Sequence, residues 1–171
     1  VYGWPLPPLE HPDVPALDAM INHYADQNVM LPRPLMELYA NVWEFTVAED
    51  EGCVVGCGAL KFYSADLAEI RSLCVAPDLA GKGVGRAVVE RLLDDAEGFH
   101  LKTVFVLTLV PGFFEKLGFC GVARETLPMK VWRDCLQCPK YLTCDERTLV
   151  LDLATRQKSR DAAPAEVAVP A

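Results

Sequence analysis

A β-like run, Glu69-Ile70-Arg71-Ser72-Leu73-Cys74-Val75, leads through Pro77-Asp78 into Ala80-Gly81-Lys82-Gly83-Val84-Gly85-Arg86, and a long amphipathic stretch follows at once. A glycine-rich turn between a strand and a helix exposes several backbone N–H groups at the positive end of the helix dipole, a geometry that suits a pyrophosphate. Glycine matters because a Cβ would block close approach and forbid positive φ. Gly81, Gly83 and Gly85 at alternate positions exceed what a tight turn needs. A P-loop would end in Gly-Lys-Ser/Thr, but Gly85 is followed by Arg86 and Ala87. A Rossmann fingerprint usually follows the first strand, whereas three β-like runs precede this turn. Lys82 and Arg86 can add positive charge there, although for Lys82 an ordinary solvated cation is the better-supported role. Glu69 and Arg71 are two apart on one strand, so both side chains share a face.

Other reactive residues are less telling. Of seven cysteines, Cys53, Cys57, Cys74 and Cys120 lie in apolar surroundings and read as small core residues. Cys135-x-x-Cys138-x5-Cys144 has the spacing of part of a zinc knuckle, but no second Cys-x-x-Cys and no nearby His completes it. Packing, or a disulfide in an oxidised sample, is at least as well supported, so no metal is expected. His11, His23 and His100 show no pairing that suggests catalysis.

The elements that must position these residues follow from periodicity. Leu17, Met20, Ile21 and Tyr24 make 14–27 an amphipathic helix, and Leu35, Leu38, Tyr39 and Val42 make a second one over 35–43. Phe45–Ala48 and Val54–Phe62 are β-like and flank the turn former Glu49-Asp50-Glu51-Gly52, as in a hairpin. Val88, Leu92 and Ala96, with Val89 and Leu93 beside them, give 84–97 its buried face. Thr103–Leu107 reads as a strand buried on both faces, 113–117 as a short helix ended by Gly118, and Thr148–Leu153 as the last strand. The segment 131–144 reads as irregular. From Ala154 to Ala171 no apolar stripe recurs, so disorder is expected, and 1–153 is taken as a single domain.

The chain has 171 residues and a net charge of −8, from 16 Lys+Arg against 24 Asp+Glu. That balance argues against a nucleic-acid surface but not against an anionic small ligand held by backbone N–H groups and a few cations. No run of about 18 apolar residues is present, so no membrane span is expected. The first residues lack a signal-like pattern, and with the odd cysteine count this favours a reducing, cytoplasmic compartment. A homodimer is left open.

Residues 68–119 resemble the acetyl-CoA-binding core of the GNAT superfamily, whose Arg/Gln-x-x-Gly-x-Gly/Ala motif maps onto Ala80–Gly85 with Ala80 in place of the usual Arg or Gln. Glu69–Val75, Thr103–Thr108, Phe113–Phe119 and Leu127-Pro128-x-Lys130 are similar, more narrowly, to the acetyltransferase domains of N-acetylglutamate synthases, the kinase-free bacterial form above all. The resemblance implies an α/β (α+β) fold: a mixed, largely antiparallel sheet with a splayed strand pair and flanking helices. It implies acetyl-CoA in the splayed gap. Backbone groups near Leu73, Cys74 and Val75 would pair with its pantetheine arm, and Gly81, Lys82, Gly83, Val84, Gly85 and Arg86 would hold its pyrophosphate. Glu69 would be the base that deprotonates the acceptor amine, and Thr108 would steady the departing sulfur. Arg71 and Lys130 would bind the carboxylates of an amino acid, glutamate foremost, at the entry to arginine synthesis. An Arg-x-Ser that longer synthases place near the last strand is Cys144-Asp145-Glu146 here, which leaves glutamine, a peptide terminus or a polyamine open as acceptor. A module that senses acetyl-CoA or metal without chemistry is the remaining alternative.

Overall fold

One six-stranded sheet organises the chain, in the order β1-β2-β3-β4-β6-β5. The computed structural model describes residues 3–6, 9–10, 13–138 and 140–162. Strands β1 (Phe45–Asp50), β2 (Cys53–Phe62) and β3 (Leu67–Val75) run antiparallel to one another. Helix α3 (Val84–Gly98) then crosses over, so that β4 (Thr103–Thr108) lies parallel to β3, as a strand-helix-strand connection requires. Strands β5 (Cys120–Val122) and β6 (Arg147–Asp152) complete the sheet, with β6 between β4 and β5 and antiparallel to both.

Two irregularities matter for the site. Strands β3 and β4 are in register only at Leu67↔Thr103, Ala68↔Val104 and Glu69↔Phe105; past Glu69, β3 stays on β2 while β4 stays on β6. This is the splayed pair expected from the sequence. The second is a bulge: Cys57 faces Cys74 and Ala59 faces Arg71, so one residue of β2 opposes two of β3. Ser72 absorbs the extra step at φ +53. Because of it, Arg71 and Cys74 point to the same face although they are three apart.

The sheet is packed on both sides. Val88, Val89, Leu92, Leu93 and Ala96 of α3 cover Leu60, Ile70, Val104, Val106 and Leu149. Each Val, Leu or Ile among them contributes roughly 1.5–3 kcal/mol when fully buried. Gly56 lets the helix approach, since a Cβ there would stand 2.7 Å from Val84 Cγ1. On the other face, Val14, Leu17 and Ile21 of α1 (Val14–Asp26) and Leu38 of α2 (Leu35–Ala40) cover Phe45, Val47, Cys57, Ala59 and Cys74.

The structure departs from expectation at four places. Helix α2 ends at Ala40, where the Asn41 amide caps the Glu37 carbonyl at 2.8 Å, and Val42–Glu44 is a single 3₁₀ turn. The short helix α4 occupies Pro111–Glu115, two residues earlier than expected, with Phe113, Phe114 and Phe119 stacked edge to face behind it. Within 131–144, expected to be irregular, the end of helix α5 (Pro128–Arg133) is followed by one-turn segments at Cys135–Gln137 and Tyr141–Thr143. Residues expected to be disordered form helix α6 (Leu153–Ala162), capped by Asp152 Oδ1 on the Thr155 N–H at 2.9 Å. Arg156 binds Asp94 at 2.7 Å and also Glu97, and Arg160 binds Asp94 at 2.7 Å. An apolar period cannot reveal a helix moored by ion pairs. The expectation for 163–171 lies outside the described residues. Among the described residues no helix is long and apolar enough to cross a membrane.

Candidate active site

Glu69 sits on the last register pair that β3 makes with β4, where the gap opens. It is 3% exposed. Burying a carboxylate is costly without partners, and the fold supplies them from far along the chain. The Tyr63 hydroxyl donates to Oε2 at 2.9 Å, and the Lys130 ammonium from α5 lies 2.9 Å from the carboxylate. Lys130 also reaches Asp134 Oδ2 at 3.0 Å, and Tyr63 hydrogen-bonds that same oxygen. Tyr63 is held by Phe105, with ring centroids 5.4 Å apart.

These contacts perturb the titrations. Burial opposes the charge on Lys130, yet Glu69 and Asp134 raise its pKa overall. Burial likewise disfavours the Asp134 carboxylate, but the Tyr63 hydrogen bond and the Lys130 charge outweigh it and hold that group at about 2. Burial first, then the neighbouring charges of Glu69 and Asp134, push the Tyr63 phenol above its usual range. Glu146 is raised by burial while Lys130 draws it down.

Farther along the same face, Arg71 lies 2.9 Å from Glu44 and 3.8 Å from Glu37, with its side chain 8% exposed. Its Nε is buried without a hydrogen-bond partner, a cost that an arriving acceptor oxygen would relieve. Arg33 joins the group, bound to Glu37 at 3.0 Å and reaching Ser72 Oγ at 3.4 Å. Lys61, register partner of Glu69, has its pKa lowered by burial and by the charges of Arg71, Arg133 and Arg33, with Asp134 opposing. Lys130 thus pairs with the buried Glu69, while Arg71 and Arg33 pair with Glu44 and Glu37 farther along the face.

The glycine turn forms the other half. Gly81 (φ +79) and Gly83 (φ +90) are left-handed, and an added Cβ at either would meet nothing within 4 Å. Open space beside positive-φ backbone is what a ligand cradle requires. Gly83 caps α3 and the first bond across that cap runs from the Ala87 N–H to the Gly83 carbonyl, which leaves the N–H groups of Gly83 to Arg86 without a partner within the helix. At Gly85 a Cβ would stand 3.4 Å from Val75 and 3.7 Å from Phe113. Arg86 is paired with Glu90 at 2.7 Å. An open cleft of about 410 Å³ continues along α3, lined by Arg86, Glu90, Asp94, Lys116, Arg156 and Arg160.

The structure thus brings Glu69 and Lys130 into contact, which spacing did not foretell. The Lys130 ammonium is already bound to two carboxylates, and Arg71 is braced by Glu44. Thr108 is buried at the end of β4, and its Oγ1 accepts the Val110 N–H at 3.0 Å, a turn cap not read from the sequence. Along β3, Leu73 packs toward α3, Cys74 lies 3.2 Å from Cys57 Sγ, and the Val75 carbonyl accepts the Tyr24 hydroxyl. Lys82 is exposed at the turn. Tyr63, Asp134, Arg33, Glu44 and Tyr24 were not anticipated. Cys135 is buried with its thiol raised chiefly by that burial, and Cys144 Sγ lies 3.8 Å from Glu146. Among the described residues no cluster of three or more His, Cys, Asp or Glu is arranged to hold a metal.

A splayed strand pair followed by a glycine turn at a helix start leaves a gap of the kind an acyl-CoA can fill. The model of the acetyltransferase (GNAT) family matches residues 17–119, and the chain belongs to that family. It is 40% identical over 141 residues to an uncharacterized N-acetyltransferase of Chlorobaculum tepidum, covering 82% of this chain and 91% of that one. It is also 40% identical over 132 residues to an amino-acid acetyltransferase of Mycobacterium tuberculosis, 75% of this chain and 74% of the other. N-acetylglutamate synthase from Neisseria gonorrhoeae, crystallised with coenzyme A and N-acetyl-glutamate, superposes with a TM-score of 0.76 at 26% identity. That match takes in 87% of this chain and 35% of the synthase chain. The protein is an acyltransferase that uses acetyl-CoA.

Proposed function

We propose that the protein moves the acetyl group of acetyl-CoA onto the α-amine of a dicarboxylic amino acid, L-glutamate, at the entry to arginine synthesis in a reducing cytoplasm. The observation that carries this is a buried Glu69 at the mouth of the β3–β4 gap with Arg33, Lys61 and Arg71 on its flank. The cofactor's pyrophosphate rests on the N–H groups of Gly83, Val84, Gly85 and Arg86, with Gly81 and Lys82 beside it, and its nucleotide end follows the cleft beside Lys116. Its pantetheine arm lies along Leu73–Val75, which β4 leaves unpaired. Glu69 takes a proton from the acceptor's ammonium, the neutral amine attacks the thioester carbon, and the carbon–sulfur bond breaks. Thr108, at the end of β4, steadies the sulfur. Arg71, with an unmet Nε, receives an acceptor carboxylate, and Lys130 orients Glu69 instead of meeting substrate alone. The synthase relative's N-acetyl-glutamate supports the choice of acceptor.

Arg71→Ala tests it. Loss of a charge-assisted contact of roughly 1.5–3 kcal/mol raises KM for glutamate about 10- to 100-fold. KM for acetyl-CoA stays as it was, which separates a lost contact from general damage. An unchanged glutamate KM would remove the dicarboxylate assignment.

A further inference from the structure

The reaction releases one net proton. An acceptor ammonium and a thioester give an amide, a thiol and H⁺: the amine loses two protons, the thiolate takes one, and the other must leave. Glu69, the group that receives it on the reading above, is only 3% exposed.

We propose that the Tyr63 hydroxyl and the Asp134 carboxylate form the exit path for that proton. The Tyr63 hydroxyl lies 2.9 Å from Glu69 Oε2 and hydrogen-bonds Asp134 Oδ2. A phenol carries a single proton and can donate to one carboxylate at a time. Its contact with the other is a hydrogen bond only when that carboxylate holds a proton. The three groups are thus built for one proton more than the two carboxylates and the phenol hold at rest. When Glu69 acquires it, Glu69 donates to the Tyr63 oxygen as Tyr63 donates to Asp134; one O–H bond breaks at each step as another forms, and no phenolate appears. Asp134 is the outlet: its side chain is 30% exposed, against 4% for Glu69. From that more exposed carboxyl the proton passes to water.

Charged groups of both signs surround the path. Lys130 bridges the two carboxylates from one side. Lys61 and Arg133 stand 5.9 and 5.2 Å from the Tyr63 ring centroid. Arg71, two residues along β3, is paired with Glu44 and lies near Glu37, and Glu146 acts on the cluster from the start of β6. The path accounts for a tyrosine wedged between two acids, which a purely structural ion pair of Lys130 and Glu69 would not need.

Tyr63→Phe keeps the ring and removes the hydroxyl. It should lower kcat at pH 7 by about 10-fold or more with both KM values nearly unchanged. In mixtures of H₂O and D₂O the wild-type rate should follow a curved dependence on deuterium fraction, reporting several protons in flight, and the variant a straight one. Added imidazole should speed the variant and leave the wild type alone. Asp134→Asn, altered at the exposed end of the path, should show the same pattern and covers the case of a poorly folding Tyr63→Phe. Wild-type kcat and a curved dependence in both variants, with Glu69→Gln slow, would overturn the relay while leaving Glu69 as base. A Glu69→Gln protein at full rate would instead overturn the assignment on which the relay rests.

Discussion

Glu69→Gln should lower kcat near neutral pH by about 10²–10⁴-fold, the usual loss when a general base is removed. The amide keeps the side chain's shape, and Lys130 retains Asp134 at 3.0 Å, so the fold should tolerate the change. Part of the rate should return as pH rises, because a larger fraction of the acceptor is then neutral without help. The sign matters: a merely structural role for Glu69 would depress the rate equally at all pH values. Steady-state kinetics from pH 6 to 9, with thermal melts alongside, separate the two. Full kcat throughout that range would place the base elsewhere.

The second large effect belongs to the glycine turn. Gly83→Val places a β-branched residue at φ +90, a conformation such residues rarely adopt. Apart from its chain neighbours nothing lies within 4 Å of the new Cβ, so it would reach into the space proposed for the pyrophosphate and not into the core. Acetyl-CoA affinity should fall by about 100-fold or more, in line with losing two or more charge-assisted hydrogen bonds at roughly 1.5–3 kcal/mol each. Calorimetric titration of folded variant protein reads this directly. An unchanged dissociation constant would move the pyrophosphate away from the α3 start.

The glycine turn and the start of its helix were legible in the sequence, the cluster around Glu69 largely not. Gly81, Gly83 and Gly85 are adjacent in the chain, and the stripe of Val88, Leu92 and Ala96 fixes where their helix starts. Glu69 and Arg71 were visible because a strand's alternation puts them together. Tyr63 and Asp134 are 71 residues apart and meet only through β2, β3 and α5. Neither belongs to a local pattern. The bulge at Ser72 was hidden for another reason: a serine at positive φ leaves no mark in composition, yet it sets the face shared by Arg71 and Cys74. Arg33, Glu37 and Glu44 read as charges on polar segments until the structure closes them around Arg71. Strand β5, at three residues, is too short to show a period.

The central claim, acetyl transfer from acetyl-CoA to the α-amine of glutamate, is tested most directly by following free thiol release from acetyl-CoA with purified protein across single acceptors. Glutamate should give the highest kcat/KM, glutamine a lower value for want of the side-chain charge, and lysine or spermidine little above background, since Arg33, Lys61 and Arg71 repel them. Thiol release with spermidine exceeding that with glutamate, or none with any amino acid, would contradict the account.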